Sequence, residues 1–278
     1  MTTLSTQQSK GERFAHLHAG PSAFVIPNPW DAGTARMLER LGFEALATTS
    51  SGFAFSEGRR DDPPGRDAML EHVRTIVEAT SLPVSADLQH GYGESPEAVA
   101  ETIRAAAAVG VVGGSIEDRP YRDHVDTELF AIDVAAQRIA AAAQAASGLG
   151  FEFLVTARCE NYLCGIPDLQ DTIRRLQAYE EAGADVLYAP GLTTPDEIRA
   201  VVAAVQRPVN FVAGLAGEPF PVAELERFGV RRISLGSTLS RAAIGAFVAA
   251  AQEIRERGTF GFVADAIAYG RIDELLAA

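Results

Sequence analysis

The residues of this chain that could do chemistry stand where apolar runs end. Asp87 closes Pro83-Val84-Ser85-Ala86-Asp87, and the glycines of the following Leu88-Gln89-His90-Gly91-Tyr92-Gly93 allow a tight turn or close approach to a ligand. Glu117 and Asp118 end a second run, and Arg158 and Glu160 follow a third. A carboxylate leaving a buried strand is costly unless it is paired, hydrogen-bonded or bound to a metal. Oxygen donors such as Asp87 and Glu117, with Asp61 in reach on a loop, suit Mg²⁺, which keeps several waters and takes few carboxylates. A zinc or iron site would call for histidines, and only His90 and His124 lie in candidate loops. Arg158 has the fork to clamp a substrate carboxylate, and Thr49, Ser50 and Ser51 could offer hydroxyls and N–H groups to the same anion.

Each of these residues also has a plain structural reading. Glu117-Asp118-Arg119 could be a salt-bridged rim, and Arg158 could neutralise Glu117. Asp61 could be solvated, Ser50-Ser51-Gly52 could be ordinary loop, and His90 and Tyr92 could pack over the site. Taken together, however, the acids repel one another, which destabilises a fold that holds no cation among them.

The elements that must position these groups alternate. Strands are expected at 23–27, 45–49, 83–87, 111–116, 151–156, 185–188, 209–212 and 232–235. Helices are expected at 11–19, 32–41, 67–80, 96–109, up to 146, 169–182, from Thr194-Pro195 onward, and 238–257. Ser95-Pro96 and Thr194-Pro195 read as helix starts, and Gly42, Gly110 and Gly183 read as stops. Residues 53–66 read as a long loop. Eight strand–helix units with no hairpin signal predict a parallel sheet closed into a (β/α)₈ barrel, whose chemistry sits at the C-terminal ends of the strands. An open doubly wound sheet is the alternative, but no GxGxxG follows the first strand. The segment after residue 260 is apolar at helical spacing through Phe262, Ile267, Ile272 and Leu275 and must pack on the barrel or on another subunit. Residues 1–278 are read as one domain with 260–278 as a helical extension.

Composition narrows the chemistry. A net charge of −13 argues against nucleic acid or an anionic membrane as partner. Lys10, in a polar stretch, is the only lysine, so Schiff-base chemistry and a P-loop have no lysine to use. Cys159 and Cys164 lack zinc-ligand spacing and read as free thiols. With no long apolar run and no signal-peptide pattern, the expected location is cytoplasmic.

Ala47-Thr48-Thr49-Ser50-Ser51-Gly52, Gly58 to Asp61, Ser85-Ala86-Asp87 with Gly91-Tyr92-Gly93, Gly114 to Asp118 and Thr156-Ala157-Arg158 together resemble the isocitrate lyase/phosphoenolpyruvate mutase superfamily. The resemblance runs from Asn28-Pro29-Trp30-Asp31 to Ser234-Leu235-Gly236. It implies a Mg²⁺-dependent barrel (Mn²⁺ being the alternative ion) that cleaves or forms C–C or P–C bonds beside an oxo or hydroxy acid through an enolate. It implies Asp87 and Glu117 as metal ligands, Asp61 in the outer shell, Thr49, Ser50 and Ser51 on the substrate carboxylate and oxyanion, and Arg158 on a carboxylate. It also implies a homotetramer that swaps C-terminal helices between subunits.

Two departures refine this expectation. Many members carry an acid two positions before the metal-binding aspartate, where this chain has Ser85. Isocitrate and methylisocitrate lyases carry a KxCGH loop, where this chain reads Arg119-Pro120-Tyr121-Arg122-Asp123-His124, leaving Tyr121 and His124 as candidate loop acid/base groups or loop surface. The expected activity is therefore a C–C lyase or hydrolase acting on an oxaloacetate- or alkylmalate-like acid, not isocitrate or methylisocitrate lyase. The alternatives are phosphonopyruvate-type P–C chemistry, a carboxylate-binding barrel without turnover, and a phosphosugar-type barrel.

Overall fold

The computed structural model describes residues 4–61, 65–120, 128–215, 217 and 219–277. Among them, eight strands form one parallel sheet: β1 (Phe24–Ile26), β2 (Leu46–Ala47), β3 (Val84–Asp87), β4 (Gly113–Glu117), β5 (Leu154–Arg158), β6 (Val186–Tyr188), β7 (Val209–Val212) and β8 (Arg232–Ser234). The ladder runs β1-β8-β7-β6-β5-β4-β3-β2. Its two ends meet where the Ala47 N–H donates to the Pro27 carbonyl at 3.1 Å, so the sheet curls into a (β/α)₈ barrel. Asn28 staples this seam. Its Nδ2 donates to the Thr48 carbonyl at 2.9 Å, and its Oδ1 accepts the Leu235 N–H at 2.8 Å.

The helices are α1 (Leu4–Ala19), α2 (Ala32–Arg40), α3 (Ser50–Ser56), α4 (Arg66–Ala79), α5 (Pro96–Ala108), α6 (Ile132–Ser147), α7 (Leu169–Glu181), α8 (Pro195–Ala204), α9 (Val222–Arg227), α10 (Thr238–Arg257) and α11 (Tyr269–Leu276). Local chemistry sets many of their ends. Asp31, Ser95, Asp168 and Thr194 cap α2, α5, α7 and α8 by accepting backbone N–H groups, and Pro96 and Pro195 open α5 and α8. Gly42, Gly110 and Gly183 follow helix ends in the left-handed region at φ 89°, 104° and 99°. Leu70, Val73, Val99, Ile103, Ile139 and Leu176 turn one stripe of each helix onto the outward-facing strand residues Ile116, Val155, Leu187 and Ile233.

Several expected boundaries move. Strand β5 lies at Leu154–Arg158, not 151–156, and β4 ends at Glu117. Phe151 and Phe153 pack in the core ahead of the ladder, because an apolar run marks burial and not pairing. Residues 53–56, expected as the start of the long loop, belong with 50–52 to α3, capped by the Thr49 hydroxyl accepting the Gly52 N–H. The first helix starts at Leu4 rather than Gly11. Gln7 Nε2 donates to the Ala107 and Val111 carbonyls and Lys10 Nζ to the Thr80 carbonyl, which ties down a stretch that reads as a polar tail. This helix brings Phe14 into the barrel floor with Phe24, Ile26 and Leu154. The contact is close: a Cβ on Gly113 would stand 2.9 Å from the Phe14 ring.

Candidate functional site

Because neighbouring strands of a parallel sheet turn register partners to the same face, the barrel interior carries one continuous polar row. Glu117 pairs with Arg158, Arg158 with Tyr188, Tyr188 with Asn210, and Asn210 with Arg232. The row begins at the carboxylate cluster on the C-terminal rim and ends at β8.

At the upper end, one guanidinium meets three carboxylates. Arg158 Nη1 lies 3.1 Å from Asp87 Oδ1, Nη2 3.2 Å from Glu117 Oε2, and Nε 2.9 Å from Glu160 Oε1. The guanidinium also lies 5.2 Å from the centre of the Tyr188 ring. All four charged groups are largely shielded from solvent. Burial pushes the Glu117 carboxyl upward; Arg158 opposes this, and Glu160 and Asp87 reinforce it. The three acids hold the Arg158 guanidinium charged against its own desolvation.

The hydroxyl-rich strand end of β2 faces this cluster. Ser50 donates to Asp87 Oδ2 from its hydroxyl at 2.8 Å and from its N–H at 3.2 Å, and Thr48 Oγ1 accepts the Asp87 N–H at 2.9 Å. Ser51 Oγ donates to Asp61 Oδ1 at 2.7 Å on the exposed side. Asp87, Glu117, Arg158 and Ser50 therefore come together, Thr49 serves as the α3 cap, and Ser51 joins Asp61 at the rim. Tyr121 and His124 lie outside the described residues.

Glu117 and Asp118 do not form a common rim. Successive strand residues point to opposite faces, so Asp118 turns outward. It accepts the Tyr179 hydroxyl at 2.5 Å, Arg175 Nη1 at 3.2 Å and the Glu160 N–H at 2.9 Å. Burial lifts its carboxyl to about 6, with the hydrogen bonds from Tyr179 and Glu160 pulling the other way. Asp118 thus anchors the backbone that carries Glu160.

The loop after β3 is fixed over the site by backbone contacts. Gln89 and Tyr92 adopt φ of 50° and 57°, a left-handed conformation that non-glycine residues keep only when the surroundings enforce it. Here Arg138, fully buried on α6, donates to the carbonyls of His90, Gly93 and Glu94, and Glu117 N–H donates to the Gln89 carbonyl at 2.9 Å. The Tyr92 hydroxyl is buried without a hydrogen-bond partner and is pressed upward in pKa by burial and by Asp87 and Glu117.

The donor set fits a hard divalent cation. Three acids on a single guanidinium leave an excess of negative charge, and Mg²⁺ needs only one or two carboxylates with water completing its shell. Among the described residues, no three or more His, Cys, Asp or Glu side chains are placed to hold a metal ion together, so the fit rests on one or two carboxylates with water. Sequence reasoning passed over Tyr188, Asn210 and Arg232. The available signal was a polar side chain at every second position of buried strands, Asn210 in β7 and Arg232 with Ser234 in β8.

Comparison with known proteins agrees with this fold. The sequence profile described as phosphoenolpyruvate phosphomutase matches residues 14–255. A crystal structure from Burkholderia cenocepacia J2315, provisionally termed a lyase/mutase, is 56% identical, covers 99% of this chain and 98% of its own, and superposes with a TM-score of 0.96. An oxaloacetate decarboxylase of Bradyrhizobium diazoefficiens is 30% identical over 73% of this chain and 70% of its own. Phosphonopyruvate hydrolase in complex with oxalate and Mg²⁺ is 27% identical over 96% of this chain and 94% of its own, with a TM-score of 0.82. With a parallel barrel, acids and an arginine gathered on its C-terminal rim, and a family match over most of its length, the chain belongs to the isocitrate lyase/phosphoenolpyruvate mutase superfamily and is an enzyme of that type.

Proposed function

We propose that this protein is a Mg²⁺-dependent lyase or hydrolase that breaks a C–C bond of a small 2-oxo- or 2-hydroxy-carboxylate, oxaloacetate-like or alkylmalate-like, through an enolate. The observation that carries the reading is the excess of carboxylate at the barrel mouth, Asp87, Glu117 and Glu160 around Arg158. In this reading Asp87 and Glu117 hold the ion, directly or through water, with Asp61 in the outer shell. When bound, the ion supplies positive charge to the oxygen on which negative charge develops. Arg158 holds a carboxylate of the substrate. Thr49, Ser50 and Ser51 bind the carboxylate and oxyanion, Ser50 keeping Asp87 oriented as it does so. Tyr121 and His124 remain the loop candidates for proton transfer.

The absence of a KxCGH pattern after Glu117-Asp118 favours neither isocitrate nor methylisocitrate as substrate. Efficient glyoxylate release from isocitrate by the Mg²⁺-loaded protein would overturn that exclusion. P–C cleavage is the second reading, supported by the likeness to phosphonopyruvate hydrolase. Pyruvate and phosphate production from phosphonopyruvate, exceeding turnover of oxo-diacids, would select it. We also propose a cytoplasmic homotetramer, since α10 and the segment after it expose Phe247, Phe260, Val263, Ile267 and Tyr269 together.

The test is thermal unfolding with Mg²⁺, with oxalate, and with both. A ligand that binds only the folded state raises the melting temperature. A joint shift well beyond either alone, lost in Asp87→Ala, supports the reading. No shift with either or both would replace it with a barrel that lacks a metal–enolate site.

A further inference from the structure

Two guanidinium groups line the same cavity inside the barrel, and they are in opposite situations. Arg158 is surrounded by three carboxylates. Arg232, at the lower end of the polar row, is 5% exposed and has no ion pair among the described residues. Its Nε donates to Asn210 Oδ1 at 2.7 Å, and its Nη1 is buried with no partner. Asn210 is committed on its other side, donating from Nδ2 to Ser234 Oγ at 3.0 Å. Burial presses the guanidinium down to about 10, and the nearby Tyr188 hydroxyl opposes this only in part. A buried arginine normally has a carboxylate or phosphate partner, because the desolvation of an unpaired charge is several kcal/mol by order of magnitude.

The cavity supplies a place for such a partner. It is bounded by Asp87, Arg158, Tyr188, Asn210, Arg232 and Ser234, and about 60 Å³ of it is open to the centres of water molecules. A single water needs roughly 10–15 Å³ on that measure, so a carboxylate-sized group fits. The Tyr188 ring stands between the two guanidinia, in register with Arg158 on one side and with Asn210, the neighbour of Arg232, on the other.

We propose that Arg232, oriented by Asn210, is an anion subsite that receives the second carboxylate of a dicarboxylate substrate whose first end lies at Arg158 and Ser50. This rests on the functional reading above and deepens it: Arg232 is the group that recognises the second carboxylate and sets the preference for a short diacid over the corresponding monoacid. The planar fork of arginine suits a carboxylate entering from the cavity. Asn210, bonded to Ser234 on one side and to Arg232 on the other, fixes the approach of the fork.

The experiment compares malate with lactate, which share the 2-hydroxy acid end and differ by one carboxylate. Calorimetric titration of the Mg²⁺-loaded protein is expected to show malate binding on the order of tenfold tighter or more, the worth of one charge-assisted contact. Arg232→Met is expected to remove that preference and leave lactate and oxalate binding unchanged, while Arg232→Lys retains part of it. Equal affinity of the unaltered protein for malate and lactate, or a preference that survives in Arg232→Met, overturns the subsite, and the first of these needs no variant. Failure of oxalate to bind, with malate still bound through Arg232, would instead reject the metal–enolate reading and leave the subsite standing. Because Met replaces an unpaired buried charge with an apolar chain of similar length, the unliganded variant is expected to melt no lower than the original protein.

Discussion

Arg158, the last residue of β5, is the register partner of Glu117 at the end of β4, and its Nη2 stands 3.2 Å from Glu117 Oε2. The same side chain reaches Asp87 and Glu160, so one residue holds three strand ends together. Arg158→Met leaves three shielded carboxylates facing one another. Losing one partner of a buried pair costs about 3–5 kcal/mol, and the variant should lose at least that much stability at pH 7. The deficit relative to the original protein should shrink at pH 5, where proton uptake by Glu117, whose carboxyl burial already pushes upward, removes one of the facing charges. Urea unfolding at the two pH values measures both, and a pH-independent deficit would mean that packing rather than charge is at stake.

Asn28 closes the barrel seam from both sides, toward Thr48 and Leu235. Asn28→Ala strands a buried carbonyl and an N–H, at about 1–3 kcal/mol each. The effect should be local. Hydrogen exchange should quicken at Ala47 and Leu235 while the amides of β4 and β5 stay protected; uniform quickening would count against a staple.

His18 lies edge-on between Phe14 and Phe24, with its Nδ1 within hydrogen-bond distance of the Phe14 carbonyl at 2.8 Å. Burial, with the Arg232 charge nearby, depresses it to about 3. Burial also lowers His72 and His90 to about 4. A base whose folded pKa is depressed leaves the unfolded chain with more bound protons between the two values. Stability is therefore full above the unfolded value of about 6.5 and falls as pH drops toward 4, by about 1.4 kcal/mol per unit per histidine at most. His18→Leu should flatten this acid limb, as read from melting temperatures between pH 7 and 4, and an unchanged slope would show that other groups govern it.

The outer face of α10 and the segment after it carries Phe247 at 72%, Phe260 at 63% and Tyr269 at 90% exposure. If this face joins subunits, light scattering should give about four chain masses, and Phe247→Asp with Phe260→Asp should reduce the particle to smaller units. A monomer in both cases would reject the tetramer.

The alternation of strand and helix, the glycine stops and the capped starts are all readable along the chain. Asp87 and Glu117 stand at the strand ends where their runs placed them, because these features depend on residues within a turn or two of one another. The sequence alone did not determine what faces what. The row from Glu117 through Arg158, Tyr188 and Asn210 to Arg232 joins residues more than a hundred positions apart, and barrel closure and stagger alone set its register. Nor could spacing show that Arg158 is surrounded by acids while Arg232 has none, or that Asp118 turns away from Glu117 to accept Tyr179. Charge and hydroxyl groups are legible one at a time along a chain. Their pairing is decided by burial, which makes an unmatched charge costly and so fixes which strand end must lie beside which.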